Sequence, residues 1–240
     1  MPKTFETGHA INVANFETVI AFCTGYNTAY NPSNPNIKLV ALNDTLNTSR
    51  AAVQTVLNEV TLYNNAINER QVVFAGLKPL ATRLVNALQV GNPSKATIAD
   101  AKGFNRKIQG ARAQKADPNP APDTKTVSSS QQSFNQQIEH LSKLVSLLQA
   151  ETSYAPNEVE LQTATLTTLI TNMRTANTNV TNAYTSISNA RITRNKILYD
   201  PNTGLYTTVL DIKQYVKSLF GTKSPEYKQI SSIKFTDIKI

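Results

Sequence analysis

Between Ile37 and Phe74 the residues Leu39, Leu42, Leu46, Val53, Val56, Val60, Tyr63, Ile67 and Phe74 recur at steps that are multiples or alternations of three and four, with Ser49 and Arg70 holding the two missing places. That spacing draws one apolar stripe along a single long helix. At a rise of 1.5 Å per residue the helix runs about 55 Å, so its stripe has to be covered by elements of comparable reach. The expected fold class is all-α, an elongated antiparallel helical bundle.

Shorter helices flank this spine. Val13, Phe16, Ile20 and Cys23 mark the inner face of a first helix over Ile11 to Tyr26, which ends before the turn Asn31-Pro32-Ser33-Asn34-Pro35. Proline there disfavours helical geometry in the residue before it and donates no backbone hydrogen bond. After Gly76, Leu77, Leu80, Leu84 and Leu88 outline a third helix that stops near Gly91-Asn92-Pro93. Ser94 is the expected cap of a fourth, with Ile98, Ala101 and Ile108 inward and a fraying end near Gly110. A proline-rich stretch, Asp117 to Thr124, reads as a linker, and Ser128 to Ser130 as the cap of a fifth helix carrying Phe134, Ile138, Leu141, Val145 and Leu148.

The second half repeats the first. A shift of 124 positions brings Tyr30 onto Tyr154, Pro32 onto Pro156, Leu42 onto Leu166, Asn58 onto Asn182 and Arg70 onto Arg194, without a gap from Tyr30 to Phe74. Under the shift Ser49 meets Met173, and the stripe continues through Leu166, Ile170, Val180, Tyr184 and Ile187 until Arg191 breaks it. The expectation is a duplicated unit of about four helices: residues 1–116, a linker at 117–125, and residues 126–240, with the two long helices as neighbours. Chance agreement in an Asn- and Thr-rich sequence is the competing explanation, and the shared order of turn, spine, short helix and glycine turn speaks against it.

Four segments carry a resemblance: Thr7-Gly8-His9-Ala10 leading to Asn15-Phe16-Glu17, Tyr30-Asn31-Pro32-Ser33, Asn105-Arg106-Lys107-Ile108-Gln109-Gly110, and the run from Gly221 to Gln229. Together they resemble an uncharacterised family of duplicated helical proteins from Bacteroidetes-type bacteria, over nearly the whole chain. The resemblance implies a bacterial source. It implies no activity, ligand or site.

Chemistry has little to stand on in this chain. His9 and His140 are the two histidines, and neither has nearby Cys, His or paired carboxylates that would make a metal site or a nucleophile–base pair. No cluster of the eight glycines forms a phosphate-cradling loop. Cys23 is the single cysteine, which excludes an internal disulfide, and it reads as a small apolar core residue. No enzyme activity and no cofactor are expected. No run of about 18 apolar residues suggests a membrane span. Glu6, His9, Asn12, Asn15 and Glu17 interrupt the apolar run that a signal peptide needs, so a cytoplasmic location is expected, with non-classical export leaving the same trace.

Arg70 and Arg194 are the first site candidates, because both fall on the stripe at matched positions. They would bind an anion or a partner's carboxylates; the plainer alternative is that each offsets the negative end of its own helix or pairs with a carboxylate such as Glu69. Positive charge supplies a second candidate. The formal charge is +8, and residues 95–115 and 191–240 each carry a net +5. Lys95, Lys102, Arg106 and Lys107 would contact a polyanion, unless they are only the solvated face of their helix. The third candidate is the second spine, where Arg174 is the one charged residue between Leu161 and Ala190. Its Thr- and Asn-rich face, represented by Thr178 and Asn182, lacks the charge that keeps neighbours apart and would make an assembly contact. Ile233, Phe235 and Ile238 in the C-terminal tail would pack on the bundle or reach into a neighbour.

The functional expectation is a non-enzymatic structural or interaction protein whose partner is itself or another protein. The alternative is a cytoplasmic nucleic-acid or polyanion binder using the basic segments 95–115 and 191–239. Liposome-active toxin chemistry is disfavoured, because no apolar hairpin is available to insert.

Overall fold

The computed structural model describes residues 6–110 and 132–238, and its side chains from Gly8 onward. Among them the chain forms eight α-helices and three single-turn 3-10 helices, with no strand. The helices are α1 (Glu6–Gly25), α2 (Leu39–Ala75), α3 (Leu77–Val90), α4 (Lys95–Gln109), α5 (Phe134–Ala150), α6 (Thr163–Tyr199), α7 (Leu205–Phe220) and α8 (Pro225–Ser231). The all-α class follows from the period of the apolar residues. The bounds of α2 and α6 differ by 124 positions at both ends, and each helix has 37 residues.

Local signals account for where the helices begin and end. Ser94 accepts from the Thr97 amide at 3.1 Å to start α4, and Gly110 closes it in the left-handed region at φ 78°. Helix α5 starts from Ser133, which forms a reciprocal capping box with Gln136. The cap expected at Ser128 to Ser130 lies outside the described residues, as does the linker 117–125. Ser133 is the better cap because Gln three positions on reaches back to it. In α8, Ser224 caps and Pro225 occupies the first turn, where its missing N–H has no partner to lose.

Packing divides the chain into two units, Met1–Tyr63 with Tyr184–Ile240, and Asn64–Ala183. Neither is a sequence half: each takes helices from both. The expected division at 117–125 is a division of sequence, and the burial of apolar faces follows another line.

In the first unit, Val13, Phe16, Val19, Ile20 and Cys23 of α1 pack with Leu42 and Leu46 of α2, Leu198 and Tyr199 of α6, the inner face of α7, and Ile230 of α8. Helix α1 starts more than a turn before the expected Ile11. Two of its polar residues are satisfied inside: the Tyr199 hydroxyl lies 2.8 Å from His9 Nδ1 and accepts from Asn12 Nδ2 at 3.1 Å. Burial pushes the Cys23 thiol up to about 12, which fits an inert core residue. The long helices meet in this unit at Tyr63 and Tyr184, ring centroids 6.0 Å apart.

In the second unit, Ile138, Leu141, Leu144, Val145 and Leu148 of α5 pack with α3, with Ala101 and Ile108 of α4, and with Phe74, Leu166, Ile170 and Met173 of the long helices. These five α5 residues stand 125 positions after the five of α1, and all ten are buried. The turns before the long helices match as well. Tyr30 donates to the Ile37 carbonyl at 2.8 Å in the first unit, and Tyr154 to the Leu161 carbonyl at 2.7 Å in the second. Burial pushes both phenols up, Tyr154 to about 12.

Candidate binding groove

Helix α5 buries one face in the second unit's core and leaves another open. Asn135, Ile138, Glu139, Ser142, Lys143 and Ser146 follow helical spacing over about three turns of that open face. Asp100 and Phe104 of α4 form one wall, and Arg174, Asn177 and Thr178 of α6 form the other. The result is a groove of about 790 Å³, with Ile138 buried in its floor and Phe104 and Leu147 half-buried along it. Its volume is in the range of ligand-sized clefts, and its mixture of apolar floor and polar rim is that of a recognition surface.

The groove's charges are unequally committed. Lys143 Nζ lies 2.6 Å from Glu139 Oε1, one turn back on the same helix, and that hydrogen bond holds the Glu139 carboxyl below its ordinary range. Among the described residues Arg174 has no carboxylate; its Nη2 donates to Ser142 Oγ at 3.4 Å, near the limit for a hydrogen bond. At one end Asn177 donates to Asn135 and accepts from Arg70 Nη1 at 3.0 Å. The Arg70 guanidinium sits 4.0 Å over the Phe134 ring, and its buried Nε has no hydrogen-bond partner. Phe134 in turn meets Phe74 edge-on at 4.8 Å.

A smaller groove of about 520 Å³ occupies the matching place in the first unit, along Ala10, Val13, Ala14 and Glu17 of α1 and Arg50, Ala51, Val53 and Gln54 of α2. Arg50 stands 124 positions before Arg174, and Glu17 stands 125 before Ser142. Here the arginine is ion-paired with the glutamate at 2.5 Å.

Arg70 and Arg194 fall in different units, and each is engaged in its own. Arg70 pairs with an asparagine and an aromatic ring; Glu69, the carboxylate expected beside it, is not its partner, and the three ion pairs among the described residues lie elsewhere. Arg194 is 1% exposed and donates to Asn195 Oδ1 at 2.7 Å, so its guanidinium is closed to an outside partner. Periodicity placed both on the stripe without revealing that one would sit at a groove's end and the other inside a core.

Lys95, Lys102, Arg106 and Lys107 are all exposed, opposite the buried Ala101 and Ile108. The basic segment 95–115 is described only as far as residue 110. Thr178 and Asn182 are exposed on α6, and Thr178 belongs to the groove wall. Ile233, Phe235 and Ile238 pack onto the first unit's own core. Asn12 exchanges two hydrogen bonds with the Thr236 backbone at 2.9 and 3.0 Å, Asn15 donates to the Lys234 carbonyl at 2.8 Å, and Lys213 to the Ile233 carbonyl at 2.7 Å. The tail is therefore an intrachain cover whose three apolar side chains are half-buried on that core.

Sequence reasoning missed Arg174 and Ser142. The 124-position shift sets Arg50 against Arg174 but Glu17 against Leu141; the one-residue offset that brings Glu17 onto Ser142, and the pairing of Glu17 with Arg50, show only in the structure. It also missed His140, which is 4% exposed with neither ring nitrogen hydrogen-bonded. Burial, then the charge of Lys107, lowers its pKa.

Among the described residues no three His, Cys, Asp or Glu gather to hold a metal, and no helix is long and apolar enough to cross a membrane. No family model, curated protein or solved structure matches the chain.

Proposed function

We propose that this chain is a non-enzymatic interaction protein, built by duplication of a helical module whose long helices run antiparallel, and that it binds a protein partner along the groove of the second unit. The observation that carries the reading is the open face of α5 between α4 and α6, an apolar floor with a polar rim and one arginine without a carboxylate. The matched bounds of α2 and α6 and the matched Tyr30 and Tyr154 hydrogen bonds support the duplication. The exposed face of α6 around Thr178 and Asn182, on which Arg174 is the one charged residue, supports a second copy as one candidate partner.

Site-specific photo-crosslinking tests the reading. A benzophenone side chain at Ser146, in the groove, is expected to give one discrete adduct in cells. The same group at Leu210, exposed in the first unit, is expected to give none. Thr178→Lys should remove the adduct by filling the groove wall, and an adduct of twice the chain mass would identify a second copy. Equal adducts from both positions, or none from either, would overturn the proposal.

Exposure of Lys95, Lys102, Arg106 and Lys107 favours one other reading, polyanion binding. Retention on heparin that falls steeply with salt and disappears in a Lys102→Glu, Arg106→Glu, Lys107→Glu variant would replace the groove reading with that one.

A further inference from the structure

Resting on the groove reading, we infer that the second unit's groove takes an amphipathic helix of a partner protein and that this helix lays one carboxylate against Arg174. The first unit supplies the comparison from within the molecule. There, Arg50 is neutralised by Glu17 on the neighbouring helix. In the second unit Ser142 stands at the glutamate's place and Arg174 reaches only its hydroxyl, at 3.4 Å. Lys143 is not available in its stead, since Glu139 holds it at 2.6 Å. The groove therefore presents one uncommitted guanidinium beside an apolar floor, and a planar guanidinium is matched best by a carboxylate that bonds it through both oxygens.

The shape selects a helix. The floor is about three turns of α5 with a helix on either side, the seat that a further helix of about 10 Å diameter fills in bundle packing. Partner helices are commonly held in such grooves by apolar residues spaced i, i+3, i+4 and i+7. Phe104 and Leu147, half-buried along the groove, are the receiving surfaces. A lipid-like carboxylate would keep one side of its tail in water here, because the groove is open along its length. Asp100 on the opposite wall, which enters no ion pair among the described residues, gives the seat a direction: acid toward α6, base toward α4.

Two fluorescein-labelled helical peptides, identical except for Glu or Gln beside their apolar stripe, test this by anisotropy against the full chain. The Glu peptide is expected to bind about tenfold more tightly than the Gln peptide, a difference of about 1.4 kcal/mol. Arg174→Gln should erase that ratio. Ser142→Glu, which installs the first unit's ion pair, should weaken the Glu peptide by at least about twofold and leave the Gln peptide nearly unchanged; melting of this variant no lower than the parent's shows that it is folded. Equal binding of the two peptides, an unaffected Ser142→Glu variant, or displacement of the Glu peptide by octanoate at its own saturating concentration would overturn the inference. If neither peptide binds while Ser146 still crosslinks to a partner, the inference falls alone; if both experiments fail, the groove reading falls with it.

Discussion

At matched places the two units treat an arginine differently. Arg50 is closed by Glu17 at 2.5 Å, whereas Arg174 is left with the hydroxyl of Ser142 at 3.4 Å. The grooves beside them differ in the same sense, about 520 Å³ in the first unit and about 790 Å³ in the second. On α1 and α5 the five matched pairs of core positions are all apolar and all buried, whereas on the long helices the buried Ser49 meets Met173. The likeness between the units therefore lies where apolar surface is shielded from water, and the difference lies where side chains face the solvent. Differences between the units are more informative about function than their likeness.

The largest test of this comparison concerns the cores. Phe16 and Leu141 are matched positions with no exposure, and Phe16→Ala and Leu141→Ala should each lower stability by about 3 kcal/mol or more. Hydrogen exchange separates the two: Phe16→Ala is expected to speed exchange in α1, α7 and α8, and Leu141→Ala in α3, α4 and α5. Uniform acceleration in both variants would show that the units do not act as separate cooperative bodies.

The matched turns give a smaller effect. Tyr30→Phe and Tyr154→Phe each remove a buried hydroxyl and leave a carbonyl unpaired, which costs about 1 kcal/mol. Equal losses in urea unfolding would support equivalent roles. A loss in one alone would mean that the shared geometry is not equally used.

Much of this fold was readable because it is local. The stripe of α2, the cap at Ser94, the end at Gly110 and the proline turn each depend on residues within a few positions of one another. What could not be read depends on partners far along the chain. His9 and Asn12 look solvated until Tyr199, 190 and 187 positions away, receives them. Arg194 has the same stripe position as Arg70, yet one is enclosed and the other lies at a groove's end, since the surrounding helices decide which. The sharing of each core by both sequence halves is likewise invisible to periodicity, which reports that a face is buried and not what buries it.

His140 offers the next test. Its matched position in the first unit, 125 earlier, is Asn15, whose amide donates to the Lys234 carbonyl, while both ring nitrogens of His140 lack a partner. Around it Lys107 and Lys143 lower the pKa further, and Glu139 opposes them. With the folded pKa below the ordinary 6.5, the unfolded chain binds the extra proton first as pH falls. Stability is therefore full above pH 6.5 and is lost on acidification toward the folded pKa. His140→Leu should raise stability at neutral pH by about 1 kcal/mol and remove this part of the acid dependence in denaturant titrations. An unchanged acid limb would assign that dependence to other groups.

The smallest effect bears most directly on the comparison. Arg50 and Glu17 are about half exposed (49% and 55%), so their pair should contribute no more than about 0.5 kcal/mol. Glu17→Gln is expected to lose that amount and Ser142→Glu to gain a similar one, with both changes vanishing at about 1 M salt, where the screening length falls to about 3 Å. So small an energy leaves the fold indifferent to whether the second unit holds a serine or a glutamate here. If Ser142→Glu instead destabilised the protein, the groove would be shaped around Arg174 by packing, and the open arginine would be a structural residue rather than one left free for a partner.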